Sequence, residues 1–159
     1  MAEPEENICF HEMFHIEGGN FMSAGAISSR VKNILKKAGF PGQIIRRTSI
    51  AAFEAEMNVI CYANQGNLSL FIAPNFLKVV VKDEGIGIPD VNLAMREGYS
   101  TADEKIRELG FGAGMGLSNI KKNTDEMILT SKSGQGTHLE FIIYLDNQNK
   151  ESIKAAQET

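Results

Sequence analysis

A chain of 159 residues carrying a formal charge of −4 has room for one domain with a sizeable core and little room for two. Hydrophobic residues at 43% and charged residues at 23% are those of an ordinary globular protein, and the scattered lysines form no basic stripe that would neutralise many phosphates, which excludes DNA and RNA as primary ligands. No apolar run approaches the roughly 18 to 20 residues that span a bilayer. The acidic start Met1–Asn7 lacks the positive and apolar regions of a signal peptide, so a cytoplasmic protein without membrane contact is expected.

Along the chain, residues 1–20 hold the acidic segment and a first strand. From Ser23 to Ala38, the spacing of Ile27, Val31, Ile34, Leu35 and Ala38 predicts an amphipathic helix, with Ser23 as its cap and Gly39 ending its last turn. After the break Phe40-Pro41-Gly42, a second helix is expected over Ile44–Ala63 with Ile50, Phe53, Met57 and Ile60 buried. Asn67–Ile72 and Phe76–Lys82, joined by Ala73-Pro74-Asn75, predict an antiparallel hairpin. Asp90–Glu97 suggests a short helix, and the polar, glycine-punctuated stretch Gly98–Gly114 suggests a lid. Gly116–Asn123 reads as a helix, and Met127–Ser131, Ser133–Gly136 and Thr137–Leu145 read as strand, turn and strand. Residues 146–159 form a polar tail. The expected architecture is α+β, a two-layer sandwich with helices on one face of a mixed, mostly antiparallel sheet and a pocket between the layers.

Several residues in this order suit phosphate chemistry. Glu54 and Asn58, one helical turn apart, project from the same face. A carboxylate there can take a proton from an attacking hydroxyl, while the amide oxygen helps to hold magnesium. The alternative for this pair is a solvated helix face. Asp83 ends a strand ahead of Gly85 and Gly87, where a carboxylate can accept a hydrogen bond from the exocyclic amino group of adenine and bare backbone can approach the ring. Gly112, Gly114 and Gly116 precede a helix whose unpaired amides and dipole favour anions, which suits phosphates. The glycines fit neither the dinucleotide fingerprint nor a Walker loop. His11, His15 and His138 share no spacing with acidic or thiol partners, Arg46-Arg47 reads as a solvated helix start, and Cys9 and Cys61 read as reduced thiols.

Glu54-x-x-x-Asn58, Asp83-x-Gly85-x-Gly87, Gly112-x-Gly114-x-Gly116-Leu117 and Gly134-x-Gly136-Thr137 occur in the order and spacing of the four nucleotide-binding regions of the GHKL ATPase superfamily. The chain resembles that superfamily over roughly Phe21 to Leu145, and within it looks most like the small stand-alone anti-sigma-factor serine kinases and stressosome switch kinases. Ala94–Thr101 and Asn58–Ala63 carry the closer resemblance.

The resemblance implies the Bergerat ATP-binding fold over residues 21–145, with ATP and Mg2+ as cofactors. Glu54 is then the catalytic base, Asn58 the magnesium ligand, Asp83 the adenine contact and Thr137 its support. Ile88, Ser100, Thr101, Ala113, Met115 and Leu117 join the glycines Gly85, Gly87, Gly112, Gly114 and Gly116 as nucleotide-binding positions. The implied partner is a protein substrate or antagonist of the anti-sigma-antagonist type, or a sigma factor, and first-helix surfaces offer a homodimer contact. The chain departs from the pattern in three places. Cys61-Tyr62 stands where relatives carry a basic residue, the lid is longer than in the switch kinases, and Gly112 occupies a position where some anti-sigma kinases place a phosphate-binding arginine, leaving Lys105 or Arg107 to reach in. The function expected is a serine/threonine protein kinase; the alternatives are an ATP-dependent protein-binding switch with little catalysis, and a detached ATPase module of a histidine kinase.

Overall fold

The computed structural model describes residues 7–85, 95, 116–132 and 134–145. Five strands form one sheet: β1 (Phe10–Glu17), β2 (Ala63–Ile72), β3 (Phe76–Gly85), β4 (Glu126–Lys132) and β5 (Gly136–Tyr144), in the spatial order β1-β2-β3-β5-β4. Every neighbouring pair is antiparallel, so among the described residues the expected mixed sheet has no parallel member. Three helices, α1 (Ala26–Lys37), α2 (Gly42–Tyr62) and α3 (Gly116–Asn123), cover one face. This is the two-layer α+β sandwich anticipated.

Strand alternation decides what meets the helices. Register aligns Phe14, Leu68, Val81, Leu139 and Leu129 in one row across the whole sheet. These side chains face α1 and α2, whose Val31, Leu35, Ala51, Ala52, Ala55 and Ile60 complete the core. Of the stripe expected on α2, Met57 and Ile60 are buried but Ile50 and Phe53 only half-buried; the buried face is carried instead by Ile44, Ile45, Val59 and three alanines that let the helix lie close against its neighbours. The next row toward one sheet end, Ile16, Gly66, Asp83, Thr137 and Ser131, trades large apolar groups for small and polar ones. The core therefore opens there into the site.

Helix boundaries differ from expectation for identifiable reasons. Gly39, at φ 82°, ends α1 as anticipated, with Phe40 N–H donating to the Leu35 carbonyl at 3.2 Å and Gly39 N–H to that of Lys36 at 3.1 Å. Ser23 does not cap its start: the Ser23 hydroxyl donates to the Asn20 carbonyl in a 3-10 turn over Phe21–Ser23. The α1 amides are satisfied instead by Glu56 of α2. Its carboxylate, 1% exposed, accepts from Gly25 N–H at 3.2 Å, Ile27 N–H at 3.4 Å and Ser28 N–H at 3.0 Å. A charged acceptor at the positive end of the helix serves better than a hydroxyl. α2 begins at Gly42, two residues before the expected Ile44, with Pro41 at its cap position. β2 begins at Ala63 rather than Asn67, immediately after α2. Its polar opening is held as strand by pairing, Ala63 with Gly85, with a bulge between Ala63 and Gln65.

Among the described residues, no helix is long and apolar enough to cross a membrane. Cys9 and Cys61 are free, and burial pushes the Cys61 thiol up to about 11, so it stays protonated. The expected short helix Asp90–Glu97, apart from Met95, the lid Gly98–Gly114 and the tail 146–159 lie outside the described residues.

Candidate nucleotide site

Two clusters of the expected residues form at the same end of the sandwich. The first is built where α2 meets α3. Glu54 and Asn58 are both half-buried, so the solvated helix face is not what the fold holds. The first residue of α3, Gly116, is set against both: a side-chain carbon there would lie 3.1 Å from Glu54 Oε2 and 3.4 Å from Asn58 Oδ1. A side chain at this position would crowd both groups, so glycine lets the helix N-terminus come this close without displacing them. Leu117, next in the chain, packs against the hydrophobic core. Asn119, one turn into α3, donates from Nδ2 to Glu54 Oε1 at 3.3 Å.

The far end of α3 is also tied to α2. Arg47 Nε donates to the Asn123 carbonyl at 3.1 Å, and its guanidinium pairs with Asp125 at 3.1 Å. Arg47 is thus part of the helix junction, not a solvated helix start, whereas Arg46 is exposed as expected. Asp125 in turn accepts from Tyr144 N–H at 2.8 Å, linking this junction to the sheet. A cavity at this end of α3, lined by Met95, Lys121, Asp125 and Met127 among others, holds none of the expected nucleotide-binding residues.

The second cluster sits at the ends of β3 and β5. Asp83 continues the inward alternation of Leu77, Val79 and Val81, and its Oδ1 accepts the Thr137 N–H at 3.1 Å. Burial raises the Asp83 carboxyl above its ordinary 3.8, and the Thr137 hydrogen bond pulls the other way. Thr137 Oγ1 lies 3.1 Å from Ser131 Oγ, which donates to the Gly136 carbonyl at 3.0 Å. Gly136 has φ 105°, and a side-chain carbon there would overlap the Asp83 carbonyl oxygen. On the other flank of Asp83, Gly66 leaves room under Val59, the residue after Asn58 on α2. Gly85, the last residue of β3, runs against the backbone of Tyr62 and Ala63.

Gly87, Ile88, Ser100, Thr101, Gly112, Ala113, Gly114 and Met115 lie outside the described residues. The described residues suit a magnesium nucleotide in two respects. Asp83 offers an acceptor at a partly dry strand end. Gly116 brings helix amides beside Glu54 and Asn58. Among the described residues no cluster of three or more His, Cys, Asp or Glu is found. The histidines lie on the opposite sheet face: His11 stacks on Phe71 with ring centroids 4.3 Å apart, His15 Nδ1 is 3.3 Å from Asn67 Oδ1, and His138 is 3.5 Å from Glu140. Sequence reading missed Asn119, Ser131 and Arg47, and only Ser131 left a trace, through the inward alternation of β4.

A carboxylate and an amide on one helix, a glycine-started helix facing them and a strand-end aspartate beside a glycine turn together define a nucleotide-binding α+β sandwich. Residues 27–149 match the family described as Histidine kinase-, DNA gyrase B-, and HSP90-like ATPase, and the chain belongs to it. The chain is 31% identical over 118 residues to the serine/threonine-protein kinase RsbT of Bacillus subtilis (strain 168), covering 72% of this chain and 83% of that protein. It is 28% identical over 137 residues to the anti-sigma F factor of Thermoanaerobacter sp. (strain X514), covering 79% and 91%. Among solved structures, the fold resembles the SiaB–SiaC complex from Pseudomonas aeruginosa at TM-score 0.59, 14% identity and 87% and 91% coverage. It resembles the mycobacterial sensor histidine kinase MprB at TM-score 0.51, 14% identity and 85% and 97% coverage.

Proposed function

We propose that the protein is an ATP-dependent serine/threonine protein kinase that controls a transcription or stress-response partner by phosphorylating a small regulatory protein of the anti-sigma-antagonist type. The observation that carries this reading is the meeting of Glu54, Asn58 and the N-terminus of α3 at Gly116. The likeness to a relative named a serine/threonine kinase supports it. Magnesium ATP supplies the γ-phosphoryl group and the charge neutralisation that its transfer requires. In this proposal Glu54 accepts the proton of the substrate hydroxyl, Asn58 Oδ1 holds the metal, and Asp83, steadied by Thr137, accepts from the adenine amino group. Residues 21–145 form the ATPase unit, joined by β1 in its sheet, and Gly85, Gly87, Ile88, Ser100, Thr101, Gly112, Ala113, Gly114, Met115, Gly116 and Leu117 line the nucleotide. The protein works in the cytoplasm.

Labelled ATP and purified candidate partner proteins test the proposal. Label should appear on a partner serine or threonine, and Glu54→Gln should cut the transfer rate by roughly two to four orders of magnitude while ATP still binds. Full transfer by that variant would remove Glu54 from the role. The similarity to an anti-sigma F factor favours a second reading, in which ATP binding promotes capture of a sigma factor. ATP-dependent complex formation with no label transferred selects that reading.

A further inference from the structure

We propose that Asn119 is a positioning residue for Glu54, an inference that rests on the reading of Glu54 as the base. Its side-chain amide holds one carboxylate oxygen, so that the other is the proton acceptor. Asn119 Nδ2 donates to Glu54 Oε1 at 3.3 Å. A carboxylate only accepts when ionised, so the amide presents its nitrogen to Glu54 and its own oxygen away. Oε2 is the oxygen turned toward Gly116, the end of α3 where anionic groups are favoured.

The main chain that carries this amide is itself held in place. The Asn119 carbonyl accepts from Asn123 Nδ2 at 2.8 Å, and the Asn123 carbonyl is taken by Arg47 at 3.1 Å. Arg47 and Glu54 stand two turns apart on one face of α2. α3 is therefore fastened to α2 at its middle and at its C-terminal end, which fixes the backbone from which the Asn119 side chain reaches the carboxylate. None of the nucleotide-binding motifs includes this position.

During transfer the substrate hydroxyl oxygen bonds to the γ-phosphorus as the bridging bond to the β-phosphate breaks. The electrons of that bond leave with ADP, and the hydroxyl proton passes to Glu54 Oε2. Asn119 donates to Oε1 throughout and exchanges no proton. Its contribution is orientation of the accepting oxygen.

The test uses the whole chain with magnesium ATP, following single-turnover hydrolysis of γ-labelled nucleotide with water as acceptor, alongside a binding titration. Asn119→Leu should slow hydrolysis by roughly ten- to a hundredfold with ATP affinity held within about twofold. Asn119→Gln, which keeps an amide donor, should recover part of that loss. In a Glu54→Gln background, Asn119→Leu should have no further effect. A readout free of nucleotide is the side-chain amide resonance of Asn119, identified by its loss in Asn119→Leu; it should move upfield in Glu54→Ala. Several results would overturn the assignment: hydrolysis by Asn119→Leu near the wild-type rate, a matching loss of ATP affinity, equal damage from Gln and Leu, additive loss in the double variant, or an amide resonance indifferent to Glu54→Ala. Wild-type hydrolysis no faster than that of Glu54→Gln would instead overturn the role of Glu54 itself.

Discussion

At the strand ends, Asp83 is set by backbone: the Thr137 N–H fixes one oxygen, and Gly136 and Gly66 press main chain and bare α-carbons around it. Between the helices, Glu54 and Asn58 are set by side chains: the Asn119 amide, the Arg47 guanidinium and the closeness that Gly116 permits. Sheet register leaves Asp83 no alternative place without unpairing strands, whereas α3, anchored in the core by Leu117 and Ile120, is set against α2 at the site by polar contacts that substitution can loosen one at a time. The adenine end should therefore fail as a unit and the phosphate end by degrees.

The severest break is expected from Gly136→Ala. The added carbon overlaps the Asp83 carbonyl, and φ 105° is a conformation that alanine resists. A loss of about 3 kcal/mol or more in urea denaturation, with ATP binding lost as well, is the expected outcome. A variant of near wild-type stability would show that the strand end yields more than its backbone contacts allow.

Asp83→Asn should act on the ligand and leave the fold intact. ATP affinity should weaken by at least about tenfold in a binding titration, since the amide is a poorer acceptor for the adenine amino group. The ligand-free variant should melt slightly higher than wild type at pH 7. The sign follows from the raised Asp83 carboxyl: the buried group costs nothing while protonated, and its penalty appears as pH rises through its folded value. The advantage of asparagine should vanish below pH 3.8, the ordinary value for the group, and an advantage unchanged with pH would refute the attribution to burial.

The mildest effect sharpens the contrast most. Arg47→Gln removes a half-buried ion pair and a helix C-terminal contact, a loss of about 1 to 2 kcal/mol. Hydrogen exchange should quicken in α3 while the amide of Thr137 keeps its protection. Equal quickening at both places would mean that the two halves are not separately held.

How much of this was legible in the sequence follows the same division. Asp83 stood out because a strand ending in glycines is a local pattern, and Glu54 and Asn58 because a four-residue spacing shares a helix face, whereas Thr137 was reached only through the resemblance of Gly134-x-Gly136-Thr137 to the superfamily's motif. Glu56, Asn119 and Arg47 did not stand out, since their partners lie on other elements and no spacing reveals which helix packs beside which. Ser23 misled for that reason: a good local cap lost to a carboxylate 31 positions away from Gly25. β1 was hard to place because Glu12 interrupts its inward row of Phe10, Phe14 and Ile16. Here Glu12 meets Arg30 of α1 at 3.4 Å. The opening of β2, Ala63-Asn64-Gln65-Gly66, has little strand propensity and takes its form from β3.

The helix that carries Glu54 and Asn58 passes into β2 with no loop, Tyr62 ending one element and Ala63 starting the next. The junction's one irregularity in chain length is the bulge between Ala63 and Gln65. One residue inserted there would turn every β2 side chain to the opposite face, burying Asn67 and Ser69 and exposing Leu68 and Leu70. Loops elsewhere can lengthen or shorten without such a penalty, so this corner measures the distance between the proposed base and the adenine contact in a fixed number of peptide units.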